Sequence, residues 1–171
     1  MTTVLYAHPY PKSFNHAILD TVIKNISEKG VKYNILDLCG DHFDSVMQPE
    51  QLKLFARGET TDPLAKKYIN IIKNTKDHMI FVFPIWWGTE PAIVKGFFDK
   101  VCLKGVAYSQ SPEGKLSPLL DIKKTTVFTT SEGPTMLFAP YFDKYFTNRL
   151  NSVGMKNVSW HNCDQTSTGT L

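Results

Sequence analysis

The chain has 171 residues, a net charge of +3, 42% apolar residues and 20% charged residues. Length and composition fit one ordinary globular domain spanning residues 1–171. No basic run supports nucleic-acid binding, and no apolar run approaches the roughly 20 residues of a membrane span. Cys39, Cys102 and Cys163 are odd in number and lack metal-site spacing. That usage reads as a reduced, cytoplasmic chain. No basic segment or cleavage site follows Met1, so no signal peptide is expected.

Val4 to Ala7 is a short apolar run ending at His8-Pro9-Tyr10-Pro11, a buried strand followed by a rigid loop. Ile18, Val22 and Ile26 then recur at helical spacing, with Gly30 placed to end the helix. Lys32 to Leu38 reads as a second strand, which completes a βαβ unit and implies a parallel sheet. Residues 39–62 are less regular, apart from a short helix at Pro49 to Phe55 with proline in its first turn. A helix follows at Leu64 to Asn74, then a strand at His78 to Pro84 that is apolar on both faces. Ala92 to Val101 is helical, Thr125 to Thr130 a fourth strand, Met136 to Val153 mostly helical, and Lys156 to Trp160 a fifth strand.

Five strands with intervening helices form a doubly wound α/β sheet with helices on both faces. The first strand-to-helix turn selects between the two common strand orders. It holds no G-x-G-x-x-G and no G-x-x-x-x-G-K, so a pyrophosphate has no glycine-lined approach. A single terminal phosphate fits better, which favours the flavodoxin-like order 2-1-3-4-5 and a mononucleotide.

Three segments carry the chemistry. Ser13, Phe14 and Asn15 open the first helix, where unpaired N–H groups and the positive dipole end attract anions. His8 sits at the strand end before them. Ser13 is equally suited to be only a helix cap. Pro84-Ile85-Trp86-Trp87-Gly88 lies between the central strand and the next helix. Two indoles in a surface turn need a flat apolar cover, and at the carboxyl end of a buried strand a planar flavin supplies one. A core or dimer-interface role for one of the two stays open. Thr129-Thr130-Ser131-Glu132-Gly133 brings hydroxyls and a turn to the same sheet edge. Other layouts fail: the five histidines lack zinc-site spacing, and no G-x-S-x-G elbow is present. No metal site is expected, and Cys102 reads as inert core.

These residues together resemble the flavodoxin-like NAD(P)H:quinone reductase family, which includes DT-diaphorase, modulators of drug activity and ancillary flavoproteins of potassium efflux. The resemblance rests on Tyr6-Ala7-His8-Pro9 with Ser13-Phe14-Asn15, on Phe83 to Trp87 with Pro91 to Val101, and on Gly105-Val106-Ala107-Tyr108 and Thr129-Thr130. It implies that His8, Ser13, Phe14 and Asn15 hold the flavin phosphate and ribityl chain. Pro84, Ile85, Trp86, Trp87 and Gly88 would line the ring, and Thr129, Thr130, Ser131, Glu132 and Gly133 would donate to its pyrimidine edge. It further implies a homodimer in which Tyr108 lines a substrate pocket, with Tyr141 a second substrate-pocket residue. No acid–base catalytic residue is named, because the cofactor carries the reaction.

Two departures stand out. Ser131 and Glu132 replace a glycine pair common in the family, which places a carboxylate where a reduced ring gathers negative charge. The chain also ends soon after the fifth strand, where relatives carry a further helix; its absence would leave an apolar sheet face open, so a cropped C-terminus, a substitute contact or dimer packing is expected. The resulting expectation is a two-electron, ping-pong NAD(P)H oxidoreductase for quinones or similar acceptors. FMN is preferred to FAD because no adenine-binding extension is visible. The alternatives are a one-electron flavodoxin-type carrier, whose acidic character the pI near 8.7 does not match, and a regulatory subunit of a potassium efflux system with a membrane partner.

Overall fold

The structure, a computed structural model, describes residues 1–166. The strands of its main sheet are β1 (Thr2–Tyr6), β2 (Tyr33–Asp37), β3 (His78–Pro84), β6 (Lys124–Thr130) and β7 (Val158–Cys163). All are parallel, in the order β2-β1-β3-β6-β7. This is the expected 2-1-3-4-5 order. A small antiparallel hairpin, β4 (Tyr108–Gln110) with β5 (Leu116–Pro118), lies between the third and fourth main strands and was not anticipated. Its strands are three residues long and largely exposed, so they carry almost no alternation to read.

The helices are α1 (Phe14–Glu28), α2 (Pro49–Phe55), α3 (Pro63–Asn74), α4 (Ala92–Val101) and α5 (Thr147–Ser152). Local chemistry explains their ends. Gly30 has φ +65° and its N–H bonds Ser27, while Val31 N–H reaches back to Ile26, closing α1 with paired reverse bonds. The Asp62 carboxylate caps α3 by accepting from the Leu64 and Ala65 N–H groups at 2.9 and 3.1 Å. The region expected as one helix, 136–153, is instead a 3₁₀ turn (Thr135–Leu137), a π-helical segment (Pro140–Phe146) and α5. The expected fifth strand starts late and runs on to Cys163, because Asn162 and its neighbours pair with β6 despite their polarity.

Period-two alternation in β3 divides the core. Met79, Phe81 and Phe83 join α3, α4, α5 and the π-helical segment in a large cluster on one face. Ile80 and Val82 face α1 in a smaller one with Val4, Tyr6 and Leu19. Among the described residues, α1 is the only helix in that smaller cluster. Beside it lies a groove of ≈ 500 Å³ over β6 and β7, floored by Ile80, Phe128 and Thr126. Polar pairing lines much of it: His78 Nε2 lies 2.9 Å from Thr126 Oγ1, and His161 stacks on Phe128.

The connection from Leu38 to Asp62 is fastened to α4 by Lys100. Its side chain is 1% exposed, and its ammonium donates to the Asp44 carbonyl at 2.7 Å and reaches the Asp62 carboxylate at 2.8 Å. Gly96 lets the connection approach: a Cβ there would stand 2.4–2.6 Å from the Ser45 backbone and Cβ.

Candidate cofactor site

A crevice of ≈ 680 Å³ opens at the carboxyl edge of the sheet, where the loops after β1, β3 and β6 converge. In the order β2-β1-β3 the chain reverses direction across the sheet between β1 and β3, which leaves a gap there between the loops. The size is that of an ordinary small-molecule site. His8, Ser13, Phe14 and Asn15 line one side; Pro84, Ile85, Trp86, Trp87 and Gly88 line another; Thr130, Ser131, Glu132 and Gly133 complete it. Tyr10, Phe138 and Thr166 also line it and were not foreseen.

The α1 start is open to a ligand. Ser13 is the cap: its hydroxyl accepts the His16 N–H at 3.1 Å. Phe14 and Asn15 are then the first residues of the helix, and their N–H groups have no intrahelical acceptor. Asn15 is 2% exposed, and its Oδ1 accepts from Thr130 Oγ1 at 2.8 Å. Its Nδ2 is buried without a partner. A buried amide donor left open costs stability unless something accepts from it. Burial holds the His8 imidazole below its ordinary pKa, so the ring is neutral near pH 7. Its Nδ1 accepts the Tyr10 N–H at 3.1 Å, which assigns the ring proton to Nε2.

The second wall is a tight turn. Trp86 and Thr89 exchange two backbone bonds of 3.0 and 3.2 Å, and Trp87 (φ +52°) and Gly88 (φ +80°) both take left-handed backbone between them. For Trp87 that conformation costs ~1–2 kcal/mol. Its indole is fully exposed, whereas Trp86 is half-exposed and meets the His8 ring edge-on at 6.1 Å.

The third wall is locked from β7. Ser131 donates its N–H to Cys163 and its hydroxyl to the Gly133 carbonyl, and its hydroxyl accepts from Asn162 Nδ2 at 2.8 Å. Thr166 bonds the Ser131 carbonyl through its N–H and hydroxyl. The Ser131 hydroxyl is therefore spent on shaping the loop. Thr129 is absent from the crevice lining: strand alternation turns it to the opposite face, where its hydroxyl donates to Asn162 and accepts from Trp160 Nε1, both at 2.8 Å. Sequence reading missed Asn162, which is distant in the chain. The alternation that separates Thr129 from Thr130 was readable.

Two further candidates lie elsewhere in the chain. Tyr108 borders a separate groove of ≈ 270 Å³ with Phe55, Cys102 and Arg149. Tyr141 is committed to a buried carboxylate, donating to Glu90 Oε2 at 2.6 Å. Burial and the Glu90 carboxylate raise its phenol pKa. Burial pushes the Cys102 thiol up to about 12, consistent with inert core. Among the described residues no cluster of histidine, cysteine and acidic groups could hold a metal, and no helix is long and apolar enough to cross a membrane.

A phosphate-bearing planar ligand fits this crevice. The orphaned Asn15 amide and the helix N–H groups need acceptors, and the half-exposed aromatic wall needs a flat cover. The chain belongs to the flavodoxin-like fold family, whose match runs over residues 1–170. The mouse (Mus musculus) ribosyldihydronicotinamide dehydrogenase (quinone) is 31% identical over 120 residues, covering 61% of this chain and 52% of that protein. The chain spans about half the length of several curated relatives it matches. The solved structure of Smu.1420 from Streptococcus mutans UA159 is similar with a TM-score of 0.82 at 29% identity, over 99% of this chain and 90% of that one. An NAD(P)H:quinone oxidoreductase from Methanothermobacter marburgensis gives 0.85 at 27% identity, over 99% and 88%.

Proposed function

We propose that the protein is a flavin-dependent NAD(P)H oxidoreductase acting on quinones or similar acceptors, with FMN in the crevice. The observation that carries this reading is the buried, unpartnered Asn15 Nδ2 beside the free helix N–H groups, in a crevice that Trp86 and Trp87 also line. The Phe14 and Asn15 N–H groups and the Asn15 side chain would hold the phosphate and ribityl oxygens, with the α1 dipole adding positive potential. Neutral His8 would donate from Nε2 without adding charge. Pro84, Ile85 and Trp86 would support the ring and keep water from one face. The Glu132 and Gly133 N–H groups, which follow the bonded Ser131, would meet the pyrimidine edge. When bound, FMN supplies hydride chemistry, taking two electrons from NAD(P)H and passing them to the acceptor in a ping-pong cycle. The exposed Glu132 carboxylate would oppose negative charge on the reduced ring and so lower its potential.

Tyr108 and Tyr141 stand outside the crevice of their own protomer. This favours a homodimer in which Tyr108 of the partner subunit closes the substrate space. The relatives' names support quinone reduction by NAD(P)H-linked chemistry.

A mass spectrum of released cofactor, with anaerobic stopped-flow mixing against NADPH and NADH, tests the proposal. Released FMN and rapid bleaching of flavin absorbance are expected. Protein that neither carries nor binds FMN or FAD would sink the proposal. Bound FMN that no nicotinamide reduces would leave a one-electron carrier.

A further inference from the structure

We infer that Glu90 is a positioning residue for the crevice wall, an inference that rests on the flavin reading above. The Trp86–Thr89 turn needs outside support. Trp87 holds left-handed backbone, and its indole is 102% exposed, so its own packing compensates nothing. Strained residues persist where the surroundings over-determine them. The two bonds between Trp86 and Thr89 close the turn, but they do not fix where it sits.

Glu90, the next residue, does that. Its side chain is 3% exposed, an unusual place for a carboxylate. Oε1 accepts from Arg149 Nη1, and Oε2 accepts from the Tyr141 hydroxyl at 2.6 Å. Arg149 Nη2 also donates to the Tyr141 oxygen at 3.1 Å, so the three groups close a ring. The guanidinium lies 5.3 and 5.5 Å from the centroids of the Phe98 and Phe146 rings, which pack against it. Pro91 keeps Glu90 extended and starts α4. The turn is thus held between α4 on its own chain side and the π-helical segment and α5 behind it. Stability alone accounts poorly for such a device, since a buried ion pair is often no better than an apolar substitute. What the carboxylate adds is a fixed position for the aromatic wall.

Glu90→Gln keeps the shape and removes the charge, leaving Arg149 unpaired. The double variant Glu90→Leu/Arg149→Met removes both charges and the acceptor for Tyr141 and recovers stability, while the wall stays unheld. FMN affinity, from quenching of flavin fluorescence, is expected to weaken about ten-fold in both chains, the order by which freeing a strained residue shifts an equilibrium. Thermal midpoint should fall in the single variant only. The amide resonances of Trp87 and Gly88, recorded without flavin, should move in both. Affinity that returns to wild type along with the midpoint would mean that Glu90 only stabilises the fold. If wild type binds no flavin, the functional reading fails alone, and the amide shifts still decide: unmoved resonances overturn the positioning role.

Discussion

Lys100 is a buried cation and Arg149 a partly buried one, both on the side of the sheet that carries the large core, yet they hold different things. Lys100 gathers the Asp44 carbonyl and the Asp62 carboxylate, and so closes the long connection between β2 and α3 onto α4. None of these residues borders the crevice. Arg149 holds Glu90, which adjoins the turn that puts the exposed Trp87 into left-handed backbone. The lesson lies in what stands next to the charge. Beside a regular helix cap, an ion pair secures the fold; beside a strained turn in the crevice wall, it secures a shape.

The sharpest way to break this comparison is Lys100→Met. It leaves the Asp62 carboxylate without its cation and should cost about 3 kcal/mol, the low end for an orphaned buried charge. Urea unfolding measures the loss, and FMN affinity should be unchanged; a matching loss of affinity would erase the distinction. Gly96→Ala attacks the same contact sterically, because the new methyl meets the Ser45 backbone. About 2 kcal/mol of destabilisation is expected, again without an effect on the crevice. Tyr141→Phe removes one of the two donors to Glu90 and should cost about 1.5 kcal/mol, with a modest fall in FMN affinity that Lys100→Met does not show.

The smallest effect is in pH. Burial alone would raise the Asp62 pKa, but Lys100 and the Ala65 and Leu64 N–H groups outweigh it and hold the carboxyl below its ordinary range. A depressed folded pKa contributes stability above the unfolded value, about 3.9, and that stability is lost as pH falls through the folded value. The urea midpoint should therefore drop below about pH 4. The drop should be shallower in Lys100→Met, where the main source of the depression is gone.

Much of the fold was legible because its signals are local. The apolar run from His78 to Pro84 and the stripe from Ala92 to Val101 match β3 and α4 at both ends, and the Pro49 helix and the Gly30 stop stand where proline and glycine geometry put them. The Trp turn, the α1 start and the loop after β6 do meet at one sheet edge, since strand order alone brings them together. What was not legible depends on partners far apart in sequence. Ser131 is occupied by Asn162 and Cys163, and Tyr141 by Glu90, none of which leaves a periodic trace. The hairpin β4–β5 was too short and too exposed to read, and the π-helical stretch departs from the period by which helices are recognised.

The Ser131 loop has a consequence for how the protein is made. Its shape is set by Asn162, Cys163 and Thr166, and Asp164 holds the neighbouring Thr135 through two bonds of 2.8 Å. During synthesis from the amino end, the first two walls of the crevice exist as soon as β3 has joined β1. The third must wait for a strand made some thirty residues after the loop itself. A nascent chain can therefore carry most of the sheet and still lack a finished pocket. On the functional reading proposed, cofactor capture would wait for the edge strand rather than the central one.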